Sequence, residues 1–127
     1  MESNAGGFWD DAKVISVYTR AQALADGVLV DVSELAREAG FQIPVALTRT
    51  LHDGPVTPPK SNKVEDVNGR LWDVLWMASL KIRRCPDGAD RVLFPVILGR
   101  KTYELKAVVG GGDSGEPVIT IMLPDED

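Results

Sequence analysis

Arg70-Leu71-Trp72-Asp73-Val74-Leu75-Trp76-Met77-Ala78-Ser79-Leu80-Lys81-Ile82-Arg83-Arg84 is the stretch on which the fold turns. Leu71, Val74, Leu75, Ala78 and Ile82 recur at helical spacing, so the segment predicts an amphipathic helix. Asn68 is placed to cap it, and Lys81, Arg83 and Arg84 give its last turn the positive charge a helix C-terminus favours. Trp72 and Trp76, four residues apart, add a second apolar ridge. With Met77 and Leu80 little of the circumference stays polar, and such a helix is expected to be central and covered on two sides. Cys85-Pro86-Asp87-Gly88 closes it with a turn.

Downstream lie three β-rich runs, Arg91 to Leu98, Thr102 to Val109 and Pro117 to Leu123. Gly99-Arg100-Lys101 and the longer Gly110 to Glu116 separate them, so an antiparallel meander is the economical topology. The last run places Val118, Thr120 and Met122 on one face and Ile119, Ile121 and Leu123 on the other, which suits a strand covered on both sides.

Upstream the elements are short. Val14 to Tyr18 reads as a first strand. Thr19 caps a helix over Arg20 to Asp26, which Gly27 stops, and Val28 to Asp31 is extended. Ser33 caps a second helix ending at Gly40. Phe41 to Leu47 reads as a strand despite Pro44, which also suits a helix start, and Thr48 caps a helical turn toward His52. Gly54 to Asn62, with three prolines, is expected to be a mobile loop. The whole is an α+β domain over residues 8–124, with short N-terminal strand and helix units and the apolar helix packed on a three-stranded meander. Residues 1–7 are expected to be a flexible N-terminus and 125–127 a solvated acidic tail.

Composition narrows the chemistry. There is one histidine, His52, and one cysteine, Cys85, in 127 residues. A zinc site takes three or four ligands, so no metal is expected. Unpaired Cys85 suits a reducing cytoplasm, and no run is long and apolar enough to span a membrane. The net charge of −5 is unevenly spread: residues 1–69 carry −4, residues 70–106 carry +4 and residues 107–127 carry −5. The acidic total opposes non-specific nucleic-acid binding. The basic middle keeps a local patch open, through Lys81, Arg83, Arg84, Arg91, Arg100 and Lys101.

Four constellations invite a functional interpretation. Gly112-Asp113-Ser114-Gly115-Glu116-Pro117 matches the nucleophile segment of trypsin-like proteases, but the chain is too short for two barrels and His52 stands in no matching motif. Its glycines, with Gly110 and Gly111, are what a hairpin loop needs, and its acidic residues oppose phosphate binding. His52 beside Asp53 pairs a base with a carboxylate, although adjacent side chains seldom face each other. Tyr18 and Arg20, with Glu104 or Glu116, can be cast in the roles of a small ADP-ribosyltransferase-like site using NAD, with His52 a further candidate. Trp72 and Trp76, rimmed by Lys81, Arg83 and Arg84, are either core residues or anchors of a protein interface, where Trp and Arg dominate.

Several blocks also carry a resemblance. They are Tyr18-Thr19-Arg20-Ala21-Gln22-Ala23 with Asp26-Gly27-Val28-Leu29-Val30-Asp31, Ile43 to Arg49, Gly69 to Met77, and Gly115 to Pro124. Together they resemble an uncharacterised family of small bacterial proteins common on plasmids, phages and other mobile elements. The resemblance implies an accessory protein acting inside the bacterial cell and brings no activity, cofactor or catalytic residue. It also implies more helix between Asp53 and Val64 than this chain has room for. The expectation is therefore a non-enzymatic protein that binds a host or element protein and needs no cofactor. The alternatives are a small enzyme near Tyr18, Arg20 and His52, or a nucleic-acid binder through residues 81–101.

Overall fold

The structure, a computed structural model, describes residues 18–60, 66–86 and 88–126. The strand expected over Val14 to Tyr18 and the flexible N-terminus expected over 1–7 lie outside these residues, except Tyr18, which belongs to no strand. In chain order the elements are α1 Arg20–Ala25, β1 Leu29–Asp31, α2 Ser33–Glu38, β2 Val45–Thr48, α3 Arg49–Leu51, α4 Val67–Arg83, β3 Arg91–Leu98, β4 Lys101–Gly111 and β5 Pro117–Met122. A single α+β domain results.

Local chemistry sets most of the boundaries. Thr19 caps α1 with a reciprocal box, its hydroxyl accepting from the Gln22 N–H at 3.0 Å while its own N–H donates to Gln22 Oε1 at 2.9 Å. Gly27 ends the helix region at φ 79°, where a side chain would be strained. Thr48 caps α3 through the Leu51 N–H at 3.3 Å. The cap of α4 is Asp66 and not Asn68: its Oδ1 accepts from the Gly69 N–H at 2.7 Å, and the helix starts earlier than the apolar spacing suggests. Ser33 does not cap α2 either. Its hydroxyl bonds Asp31 at 2.6 Å and accepts from the Val45 N–H at 3.0 Å, fastening α2 to β2.

The meander is part of a larger sheet. Five strands run in the order β1-β2-β5-β4-β3, antiparallel except for β2 and β5, which pair in parallel. Val45, Ala46 and Leu47 stand opposite Ile119, Thr120 and Ile121. One face carries Val45, Leu47, Ile119, Ile121, Leu105 and Phe94, all buried, and α4 crosses it with Leu71, Val74, Leu75 and Ala78. The other face is thinner. It buries Ala46, Val118 and Met122 beneath α1 and the chain end, and β5 is covered on both sides as its alternation predicts.

Four further expectations change. The strand expected over Phe41 to Leu47 occupies only Val45–Thr48. The segment from Gly54 is no free loop in its first half: His52–Val56 forms a π-helical turn, Val56 is fully buried, and the Pro55 carbonyl accepts from Arg70 Nη1 at 3.0 Å. Residues 61–65 of that loop lie outside the described residues. The acidic tail is only partly solvated. Glu126 folds back, its carboxylate accepting from Thr48 Oγ1 at 2.8 Å and the Leu123 N–H at 2.9 Å, and its carbonyl from Lys106 Nζ. Helix α4 is covered on its sheet side, whereas Trp76 on its outer side is 41% exposed.

One edge of the sheet is β3, and its proline has a directional consequence. The Val109 N–H donates to the Asp90 carbonyl at 2.8 Å, in the same register that pairs Arg91 with Val108 and Pro95 with Glu104. Hydrogen-bonded and non-bonded pairs alternate along an antiparallel ladder. Counting from Asp90, the Pro95 nitrogen points away from β4 to the open edge. A proline there removes an outward donor in mid-strand and blunts the edge against strand addition. Replacing Pro95 by Val is expected to leave unfolding free energy within about 1 kcal/mol. It should introduce self-association, read as a concentration-dependent shift in light scattering coupled to size exclusion; a strictly monodisperse variant would refute the edge role.

Candidate functional site

The polar candidates are occupied by the fold. Arg20 donates from Nη1 to Thr120 Oγ1 at 2.7 Å and from Nη2 to the Ile119 carbonyl at 2.9 Å, so its guanidinium ties α1 to β5. Burial draws that guanidinium below its ordinary range, against the carboxylates of Asp31, Asp113 and Glu116. Tyr18 donates its hydroxyl to Asp26 at 2.6 Å, which pushes the phenol up. Glu104 sits on β4 opposite Pro95, whereas Glu116 lines a small cleft with Arg20 that neither Tyr18 nor His52 enters. The structure therefore does not gather Tyr18, Arg20 and His52 into one site.

The protease-like segment also has a structural use. Asp113, at the tip of the β4–β5 hairpin, accepts from the backbone N–H of Arg20 at 2.7 Å and of Ala21 at 3.0 Å. A carboxylate on the free amides of a helix start is favoured by both hydrogen bonding and the helix dipole. Ser114 is left with no histidine beside it among the described contacts: the His52 ring nitrogen Nδ1 lies 3.0 Å from Asp53 Oδ1. That adjacent pair does meet, at the start of the π-helical turn. Arg49 Nη1 reaches the same oxygen at 3.3 Å and its Nε the Gly27 carbonyl at 2.8 Å. The bond from His52, then that from Arg49, holds the Asp53 carboxyl below the usual aspartate range.

A cleft of about 420 Å3 beside Arg49 is bordered by Asp26, Thr48, Thr120 and Glu126. Arg49, Asp26 and Glu126 already bond Gly27, Tyr18 and Thr48 respectively, so the charged groups at its mouth serve one another. Among the described residues no cluster of His, Cys, Asp and Glu could hold a metal ion, and no helix is long and apolar enough to cross a membrane.

Among the described residues one open surface is apolar. A groove of about 400 Å3 runs between α4 and the edge strand β3, lined by Asp73, Trp76, Met77, Pro95, Val96, Ile97 and Thr102. Ile97 is 65% exposed there. Trp72 stacks on Trp76 with ring centroids 5.9 Å apart and planes inclined by 16°, and packs against the core on its other side. The pair thus divides: Trp72 is a support and Trp76 an accessible face. Arg83 turns the other way, over Gly40, where an added Cβ would stand 2.6 Å from its Nη2. Arg84 caps α4 and is exposed. Pro95 and Ile97 escape a reading of the sequence, because Arg91 to Leu98 is too uniformly apolar for alternation to show which side is out.

The family model for a family of unknown function, DUF6573, matches residues 5–85, well over half of the chain. The chain belongs to DUF6573. No curated protein and no solved structure matches it. The DUF6573 match takes in α1 to α4, including Trp72 and Trp76, and stops before β3, so the groove joins a wall inside the matched segment to one beyond it.

Two outcomes follow from the geometry. Arg20→Ala should lose about 1–2 kcal/mol in urea unfolding through its two lost bonds, whereas a catalytic arginine would leave stability near wild type. In a carboxyl-detected NMR titration, Asp53 should titrate below the ordinary aspartate value of about 3.9 and move up in His52→Ala. With a depressed folded pKa, its contribution is present above the unfolded value and disappears as pH falls through the folded one.

Proposed function

We propose that the chain is a non-enzymatic binding protein, an accessory of a bacterial mobile element that acts on a host or element protein. Countering host defence and element maintenance are the two processes such a protein would serve. The single observation that carries the binding role is the groove: a half-exposed tryptophan, stacked on a second one that packs against the core, borders an open apolar cleft at the β3 edge. Exposed apolar area of this kind, rimmed by charge, marks interaction surfaces on soluble domains. Aromatic anchors held in one rotamer lose little entropy on binding and dominate interface energetics. The mobile-element setting is supported by the resemblance of the blocks from Tyr18 to Met77 and Gly115 to Pro124.

The polar groups add support from the other direction. Tyr18, Arg20, Asp113 and Glu126 have structural partners, which leaves little for a reaction to use. Trp76→Ser replaces an outward side chain and is expected to keep the fold, with unfolding free energy within about 1 kcal/mol of wild type. Trp72→Ala, which removes a side chain packed on the core, should cost about 2–4 kcal/mol. Tagged wild type and Trp76→Ser are compared by capture from bacterial lysate with and without nuclease. A stoichiometric protein partner that survives nuclease and is lost in Trp76→Ser supports the proposal. Equal capture by both proteins overturns it.

A further inference from the structure

We infer that the groove between α4 and β3 takes an acidic, amphipathic segment of a partner protein, held by side chains and not as an added strand. This rests on the binding role proposed above and adds the chemistry of the occupant. The volume of about 400 Å3 falls in the range of cavities that seat one compact apolar group. Trp76 and Met77 line it from α4 and Val96 from the sheet face beneath, with Pro95 and Ile97 at the β3 edge, their side chains alternating to the opposite face.

Charge selects the occupant. On α4, Asp73, Met77, Lys81 and Arg84 follow at intervals of three and four residues and so lie along the ridge that faces β3. Lys81 and Arg84 are exposed at the end of that ridge, and exposed Arg91 opens the neighbouring strand. At the other end Lys101 stands over the Tyr103 ring at 5.3 Å from its centroid, and Tyr103 pairs with Val96 in the groove. Cations therefore bracket an apolar trough in a chain whose net charge is −5. Asp73 lines the trough and Asp90 lies 3.7 Å from Arg91, which leaves Lys81, Arg84 and Lys101 without a carboxylate in salt-bridge range among the described residues.

Other occupants fit less well. A second copy of this chain would bring the same cations face to face, and like charges across an interface are costly. A strand added at the edge would meet Pro95, whose nitrogen faces outward in mid-strand. A nucleic acid would find the Trp76 ring already stacked on Trp72 and the Tyr103 ring already covered by Lys101, which leaves few open aromatic faces for successive bases.

The probe is a fluorescein-labelled peptide of about 14 residues, near the shortest length that holds a helix. It is built from Ala and Glu with Leu and Phe four apart, and is compared with its Lys-for-Glu counterpart and with an oligothymidylate of similar length. Binding is read by anisotropy against wild type, Trp76→Ser, the triple variant Lys81→Glu/Arg84→Glu/Lys101→Glu, and Pro95→Val. Circular dichroism of each variant verifies the fold.

The acidic peptide should bind wild type, about tenfold or more weaker to Trp76→Ser and to the triple variant. It should weaken with added salt, and the Lys peptide should recover affinity for the triple variant. Equal binding of both peptides, or no binding of the acidic one, overturns the inference. Tighter binding to Pro95→Val overturns its side-chain mode, and competition by oligothymidylate at the same Trp76 reassigns the groove to nucleic acid. A lysate partner that is lost in Trp76→Ser while the acidic peptide fails would end this inference and leave the binding role standing.

Discussion

The parallel pairing of β2 with β5 is the constraint on which the rest depends. It sets Val45, Ala46 and Leu47 against Ile119, Thr120 and Ile121, more than half the chain away in sequence. Without it the N-terminal units would keep only the short β1–β2 pair, and strands of three and four residues bury too little to stand alone. With it, α2 and α4 share one core with the meander. The loop-closure entropy of so distant a pair is large. The fold offsets it with side-chain bonds on the same seam: Arg20 on Thr120 and Ile119, Asp113 on the amides of α1, and Thr48 on Glu126.

That seam also takes up part of the polar candidates. Arg20, Asp113 and Glu126 bond across it, whereas Tyr18 bonds Asp26 and His52 meets Asp53 within the N-terminal half. An arginine with two hydrogen bonds to a neighbouring strand is positioned for stability, and displacing it for chemistry would undo the joint. The groove lies at the other end of the sheet, on β3, which has a partner on one side only. There α4 covers the sheet's inner face and leaves its own outer ridge, with Trp76, to solvent. A surface so placed can change its contacts without disturbing the joint.

What could be seen in the sequence was what neighbouring residues decide. The apolar spacing of 71–82, the capping threonines at 19 and 48 and the hairpin turns all express interactions within a few residues, and each element stands where its pattern puts it. The five-stranded order was hidden because Val45 to Thr48 carries no mark of its partner: an apolar tetrapeptide suits any neighbour. Asp113 was hidden for the same reason, since its helix lies 92 residues upstream. The ridge of Trp72 and Trp76 was visible, but apolar spacing cannot distinguish two covered sides from one covered and one open. The role of Pro95 was hidden as well, since its direction depends on the parity of the ladder, which only the register of β3 and β4 supplies.

Charge shows the same division between local use and surface consequence. Asp26, Asp31, Asp66, Asp113 and Glu126 each accept a hydrogen bond from a hydroxyl or a backbone amide. These five, of 19 acidic residues in the chain, are held in local turns, helix starts and the seam. Lys81, Arg84 and Arg100 are exposed at element ends near the groove. Fields from exposed groups fade over about 8 Å at physiological salt. At the groove the field is therefore that of the local cations more than that of the net charge of the chain, and its sign is opposite to the sign of the whole.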